Sequence, residues 1–446
     1  MIVLAGCRHV ADEARAAAVA MPDEFSRDTA LAVLESGGNA VDAAIAAAFV
    51  LAVTYPEAGN LGGGGFMLVY VDGDARFLDY REVAPAAATA DMYLDEAGDV
   101  VDNLSLIGPL AAGVPGTVAG LREAHRRYGT LPWTALLEDA VQLADAGFIV
   151  PPLLAQRIAA EAARFDGRTN FHEFFGRIRA GRRFRQPALA ATLRRIAAAG
   201  AAGFYAGETA AHIQATMTGS GGLITAGDLD AYRPVWREPL LAPWRQYTVV
   251  TAPPPSSGGF AVLQLLGMKD ALADEFRGHA HNSARYVHLI AEMAKRVFAD
   301  RAEYFGDPDF VDVPIARLID PGYIARRAGD VDPGAISALE AAAPGLEPPQ
   351  TTHFSIVDFD GNAVANTYTL NTSFGSGVVV AGAGFLLNNE MDDFSAKPDV
   401  PNFYGVVGGS ANAIAPGKRM LSSMSPTIVL DGGRVDAVLG TPGGST

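Results

Sequence analysis

The 446-residue chain contains a single cysteine, Cys7. That excludes an internal disulfide framework and a cysteine-rich zinc site. The eight histidines are scattered, and no H-E-x-x-H pattern occurs. Their densest group, "HAHNSARYVH", sets His281 and His288 two helical turns apart, which reads as ordinary helix and loop chemistry. No metal and no cofactor are expected. Positive charge is also short, with 34 Lys and Arg against 50 Asp and Glu, a net charge of −16. Such a surface repels phosphate backbones, so nucleic acid is not an expected partner. A long apolar run is missing as well. "NAVDAAIAAAFVLAV" is broken by Asp42 and falls short of the ~18 consecutive apolar residues that argue a membrane span.

Two familiar catalytic signatures are absent. No G-x-S-x-G elbow marks a serine hydrolase. The glycine run "LGGGGF" at 61–66 precedes a strand pattern and has no lysine after it, whereas a phosphate loop follows a strand and carries Lys-Ser/Thr. The glycines are better read as places where backbone approaches something closely. At the start, Leu4-Ala5-Gly6-Cys7 is similar to a lipoprotein lipobox. Six residues ahead of the cysteine are too few for a complete signal peptide. The stretch is either chance or the end of a longer signal, and location stays unknown, with periplasmic, extracellular and lipid-anchored all open.

What is present is 49% hydrophobic and 19% charged, enough for a large core. "SRDTALAVLESGG" reads as a helix stopped at Gly37-Gly38. Asn39 caps a second helix with Asp42 in its first turn and a buried stripe of Val41, Ala44, Ile45, Ala48 and Phe49. Phe66–Tyr70 and Ala75–Tyr80 read as strands around an Asp72-Gly73 turn. The section from about 117 to 330 reads as mostly helical. Its clearest helix is "SARYVHLIAEMAKRVFADRAEYF", with Val287, Ile290, Ala294 and Val297 on one face, and "TAPPPSSGG" interrupts the section as an extended loop. There Ser256 and Ser257 are expected to cap backbone groups. "LEAAAPGLEPPQ" reads as an exposed linker ending at Gln350. Beyond it the texture changes to short strands, beginning with a hairpin turned at Asp360-Gly361. Helices and strands in blocks, with no internal repeat, argue an α+β layered fold.

The chemistry-bearing residues gather late in the chain. "NNEMDDF" at 388–394 concentrates carboxylates and carboxamides. It reads either as a solvated turn or as an ammonium pocket in which Glu390 and Asp393 face an amine. "LSSMSPT" at 421–427 offers paired hydroxyls, and "TPGGST" at 441–446 offers consecutive glycine N–H groups suited to an oxyanion hole. Thr351 and Thr352 open the hairpin strand. Threonine favours strands, and it can also serve as a nucleophile.

Taken together, "GGNAVDAA", "NLGGGGFM", "DYREVAPAAAT", "GVPGTVAG", "GGLITAGDLDAY", "PPPSSGG", "ADRAEYFGDPDF", "TTHFSIVDFDGNAV", "NTYTLNTSFG", "LLNNEMDDFSAKP", "LSSMSPTIV" and "GTPGGS" resemble the γ-glutamyltransferases (glutathione hydrolases) among the N-terminal-nucleophile hydrolases. The resemblance implies a four-layer αββα sandwich made as one precursor. It implies cleavage between Gln350 and Thr351 into a large region, 1–350, and a small region, 351–446, that stay associated. Thr351 would be the nucleophile, its freed α-amine the base, and Thr369 its hydrogen-bond partner. Arg81, Ser422 and Ser423 would hold a substrate α-carboxylate, and Asn371, Glu390 and Asp393 its α-ammonium. Gly443 and Gly444 would form the oxyanion hole, and Tyr404 the tip of a lid loop. The substrates implied are glutathione and other γ-glutamyl compounds, with water, amino acids or peptides as acceptors. The family's small subunit continues beyond "GGS", so the resemblance implies that a C-terminal part is missing here. The alternatives are a glutaryl or cephalosporin acylase of the same fold, or a catalytically silent fragment.

Overall fold

The computed structural model describes residues 16–338, 351–398, 400, 402, 405 and 407–442. Two antiparallel sheets carry the architecture. The larger has six strands, β1 (Ala18–Ala20), β2 (Gly64–Val71), β3 (Asp74–Asp79), β6 (Val235–Arg237), β9 (Thr352–Val357) and β10 (Ala363–Thr369), in the order β1-β9-β10-β2-β3-β6. The smaller joins β7 (Leu240–Trp244), β8 (Tyr247–Thr251), β11 (Thr427–Asp431) and β12 (Arg434–Leu439) in the order β12-β11-β8-β7. A two-stranded ribbon, β4 (Phe148–Ile149) with β5 (Arg183–Phe184), stands apart.

Side-chain alternation divides the large sheet between two cores. Met67 and Val69 of β2 and Val364 and Tyr368 of β10 face one cluster, which contains helices α1 (Glu24–Glu35) and α2 (Ala40–Thr54). Phe66, Leu68, Phe77, Ala363 and Ala365 face the other way, onto Val250, Ile428 and Leu430 of the smaller sheet. A third cluster, around Phe260, Met293 and Val297, gathers the helices Gly258–Ala271 and Ala284–Tyr304 with Leu240 of β7.

Local chemistry accounts for the elements nearest the site. Asn39 and Asp42 form a full capping box at the start of α2. Every residue of α2 is buried, so the expected stripe is a helix enclosed on all sides. The Asp72-Gly73 turn has positive φ at both residues (52° and 81°), which suits the twist of the flanking strands. The section read as mostly helical also holds β6, β7 and β8, which extend both sheets. In the helix Ala284–Tyr304 the buried face is Leu289, Met293 and Val297, while Val287 is exposed. Of the expected face, Val297 is buried and Ile290 packs against that core, but Val287 is corrected to the exposed side. Glu292 and Asp300 share the buried side because Lys295, Arg296 and Arg327 neutralise them. Among the described residues no helix is long and apolar enough to cross a membrane.

Candidate active site

Antiparallel register brings four chain segments to one end of the large sheet. Thr369, the last residue of β10, pairs with Gly64 at the start of β2. Tyr368 pairs with Thr352, so Thr351 lies beside the same end, and β3 finishes there at Asp79, two residues before Arg81. Thr351 Oγ1 donates to Thr369 Oγ1 at 3.3 Å, and the Asn371 N–H donates to that same oxygen at 2.9 Å. The Thr351 N–H donates to the Pro442 carbonyl at 3.0 Å, which ties the strand to the segment leading toward Gly443. Gln350, Tyr404, Gly443, Gly444 and the Leu4–Cys7 stretch lie outside the described residues.

Close backbone approach explains the glycine run. A Cβ on Gly62 would sit 2.1 Å from the Leu386 carbonyl oxygen, and one on Gly64 would sit 2.6 Å from the Tyr80 carbonyl oxygen. Neither neighbour can give way without moving the sheet end. Asn60, which sequence reasoning passed over, holds this corner. It donates to the Thr369 carbonyl and accepts from the Gly63 N–H and the Thr117 hydroxyl.

Arg81 is almost fully buried (1% exposed) beneath the "NNEMDDF" turn. Its guanidinium meets Glu390 at 2.6 Å and Asp393 at 2.5 Å, with Glu82 at 3.8 Å. Its Nε and Nη2 also approach the carbonyls of Met420 and Leu421, at 3.4 and 3.3 Å. Those residues lead directly into Ser422 and Ser423. The "PPPSSGG" loop cradles this segment, with Ser256 donating to the Met424 carbonyl and Ser257 to the Ser422 carbonyl. The Ser422 hydroxyl accepts from the Met424 N–H, while the Ser423 hydroxyl is buried with no hydrogen-bond partner among the described residues. Asn371 takes a left-handed conformation (φ 76°) and donates to the Asn389 carbonyl. Asn388 and Asn389 are structural, binding Gly62, Gly113, Leu106 and Thr372. A cavity of about 290 Å³ opens beside Asp393, lined by Ser105, Arg301, Asp392 and Lys397 among others.

The charge balance here is uneven: three carboxylates surround one guanidinium. Burial pushes Glu82 up to about 8, opposed by Arg81 and by its own backbone N–H and reinforced by Asp393 and Asp79. Burial likewise raises Glu390 well above the usual carboxylate range, against the pull of Arg81. Burial opposes the Arg81 charge, but Glu390, Asp393 and Glu82 outweigh it, so the guanidinium is held more firmly protonated.

Glu82 gives the first testable consequence. A carboxyl whose folded pKa is raised adds stability that is fully present below its unfolded value, near 4.5, and is lost as pH rises through about 8. Glu82→Gln carries no titrating proton. Urea midpoints of parent and variant should therefore shift steadily in the variant's favour between pH 5 and pH 9. A pH-independent difference would mean that Glu82 takes up no proton on folding.

The chain matches the family described as gamma-glutamyltranspeptidase over residues 26–446. It is 61% identical over 428 residues to a glutathione hydrolase proenzyme of Pseudomonas aeruginosa, covering 96% of this chain and 77% of that protein. A solved gamma-glutamyltranspeptidase from Pseudomonas nitroreducens, complexed with L-DON, is 56% identical with a TM-score of 0.72, covering 72% of this chain and 96% of that one. A cephalosporin acylase from Bacillus halodurans is 29% identical with a TM-score of 0.81, covering 95% and 77%.

Proposed function

The chain belongs to the gamma-glutamyltranspeptidase family, and we propose that it works as a self-processing γ-glutamyltransferase and glutathione hydrolase on a four-layer αββα frame. Residues 1–350 and 351–446 become the large and small subunits and stay together. In processing, Thr351 Oγ1 attacks the Gln350 carbonyl carbon. The amide C–N bond breaks in favour of an ester, and water then hydrolyses the ester to a Gln350 carboxylate and a free Thr351 amine. That amine, with a reference pKa of about 7.7–8.0, serves as the base in turnover. Thr351 Oγ1 attacks the γ-carbonyl of the substrate, the amine portion leaves with a proton, and a γ-glutamyl ester remains. Water or an amino-acid or peptide amine then takes the acyl group. Thr369 orients the nucleophile, and Gly443 and Gly444 supply oxyanion donors. Tyr404 covers the site.

The observation that carries this reading is the charge inventory around Arg81. A γ-glutamyl group is a zwitterion at its α-carbon. Its carboxylate can replace a side-chain carboxylate on the Arg81 guanidinium, where a bidentate pair fits, helped by the Ser422 and Ser423 hydroxyls. Its ammonium then takes the released Glu390 and Asp393 carboxylates, next to Asn371. The exchange gives the Arg81 guanidinium a new anion and the displaced Glu390 and Asp393 side chains a cation. A glutaryl substrate has no α-ammonium and would leave Asp393 without a cation, which is costly.

Asp393→Asn tests the assignment. In the processed protein, hydrolysis of a γ-glutamyl anilide should fall by roughly one to two decades, the worth of a charge-assisted bond of about 1.5–3 kcal/mol. Hydrolysis of a glutaryl anilide should fall far less. Equal losses on both substrates would show that Asp393 does not read the amine.

A further inference from the structure

The segment that presents Ser422 and Ser423 is anchored by a residue outside the site just described. Arg419 is buried, and its backbone N–H donates to Asp307 Oδ2 at 2.8 Å. Its Nη2 donates to the Arg233 carbonyl at 2.7 Å, and its Nε lies 3.4 Å from Asp79 Oδ1. That same Asp79 oxygen accepts the backbone N–H of Arg81 at 3.0 Å. The other Asp79 oxygen accepts from Arg237 Nε at 2.8 Å, and Arg237 in turn forks onto Asp309 at 2.7 and 3.2 Å. Asp79 and Asp307 are both fully buried.

The connections close a ring around Arg81. Asp79 holds its backbone. The two residues after Arg419, Met420 and Leu421, turn their carbonyls onto its guanidinium. The Asp79–Arg419 pair joins those two supports. A buried ion pair of this kind adds little stability over an apolar replacement of equal volume, because desolvation cancels most of the attraction. It does fix one geometry, and a rigid guanidinium fork binds a carboxylate well only when its direction is set.

We propose that Asp79 and Arg419, backed by Arg237, are positioning residues that aim Arg81 and the Ser422–Ser423 hydroxyls at the substrate α-carboxylate, an inference that rests on the reading of Arg81 given above. None of the three touches substrate in this scheme. Arg419 lies after Thr351 and its partners Asp79, Arg233 and Asp307 lie before it, so the same contacts also bridge the two products of cleavage.

The test uses the processed enzyme and three anilides: γ-glutamyl, glutaryl (no α-ammonium) and 4-aminobutyryl (no α-carboxylate). In Arg419→Lys, kcat/KM for the γ-glutamyl and glutaryl anilides should fall together, on the order of 10²-fold for a carboxylate clamp displaced by about an ångström, with KM carrying most of the loss. The 4-aminobutyryl anilide should be hydrolysed as by the parent. Asp79→Asn, which can still accept the Arg81 N–H but lacks the charge, should show the same pattern. An equal fall on all three substrates would mean a general structural lesion and overturn the proposal, as would no fall on any. Should Arg419→Lys fail to yield processed enzyme, the ratio measured in Asp79→Asn decides. A parent enzyme that handles γ-glutamyl and 4-aminobutyryl anilides alike would remove the Arg81 reading itself, a result separate from any effect of the variants.

Discussion

Thr351→Ala should remain a single chain on a denaturing gel and hydrolyse no γ-glutamyl anilide. The alanine removes the only atom proposed to form either ester, the one at Gln350 and the one with substrate. Hydrolases that lose their nucleophile drop on the order of 10⁶-fold in kcat. Here a second loss is added, because without cleavage the residue 351 amine stays in an amide and cannot act as a base. Thr351→Ser keeps a hydroxyl and should still split, with N-terminal sequencing of its small fragment reading Ser-Thr-His-Phe, against Thr-Thr-His-Phe in the parent. The geometry points to Thr351 over its neighbour. Thr351 Oγ1 lies within hydrogen-bond reach of Thr369, whereas Thr352 is buried in β9 on the opposite pleat, at 1% exposure. A Thr351→Ala protein that is still cut after Gln350 would sink the nucleophile assignment.

Features that depend on neighbours in sequence were legible before any coordinates. The Asn39–Asp42 capping box and the Asp72-Gly73 turn are examples, because caps and turns are short-range chemistry. The glycine run was readable as close approach, although the surfaces approached, Leu386 and Tyr80, were not. What sequence reasoning missed depends on partners far away in the chain. Hydrophobic spacing placed Val287 with Ile290 and Val297 on the helix Ala284–Tyr304, but Val287 is exposed and the acidic Glu292 and Asp300 are buried. Their pairing with Lys295, Arg296 and Arg327 permits that burial. Strands β6 to β8 escaped notice because they are short and carry residues such as Pro243 that weaken a strand pattern. At the site, the motif resemblance named Arg81 for a substrate carboxylate and Glu390 and Asp393 for its ammonium. It did not reveal that they pair with one another, or that Glu82 adds a third carboxylate beside the guanidinium.

That crowding makes Arg81 the substitution with the largest expected cost to the fold. Arg81→Gln removes the cation from among Glu390, Asp393 and Glu82 and leaves buried carboxylates unpaired. Breaking a buried pair from one side costs about 3–5 kcal/mol, a large share of the roughly 5–15 kcal/mol that holds a domain together. The deficit should depend on pH in a definite direction. Burial already raises Glu82 and Glu390 with Arg81 present, and losing Arg81 removes the main force lowering them. A raised folded pKa means stability that is present in acid and drains away as pH climbs. The urea midpoint of Arg81→Gln should therefore lie near the parent's at pH 5 and fall progressively behind it toward pH 9. Arg81→Lys keeps the charge and should be stable, yet turn over γ-glutamyl anilide poorly, since an ammonium cannot form the bidentate bond. The double variant Arg81→Gln with Glu390→Gln should regain stability at alkaline pH without regaining γ-glutamyl hydrolysis. This separates the structural role of the guanidinium from its proposed role on substrate. A stability deficit that does not change with pH would contradict the charge argument, and γ-glutamyl hydrolysis near the parent's level in Arg81→Gln would contradict the substrate assignment.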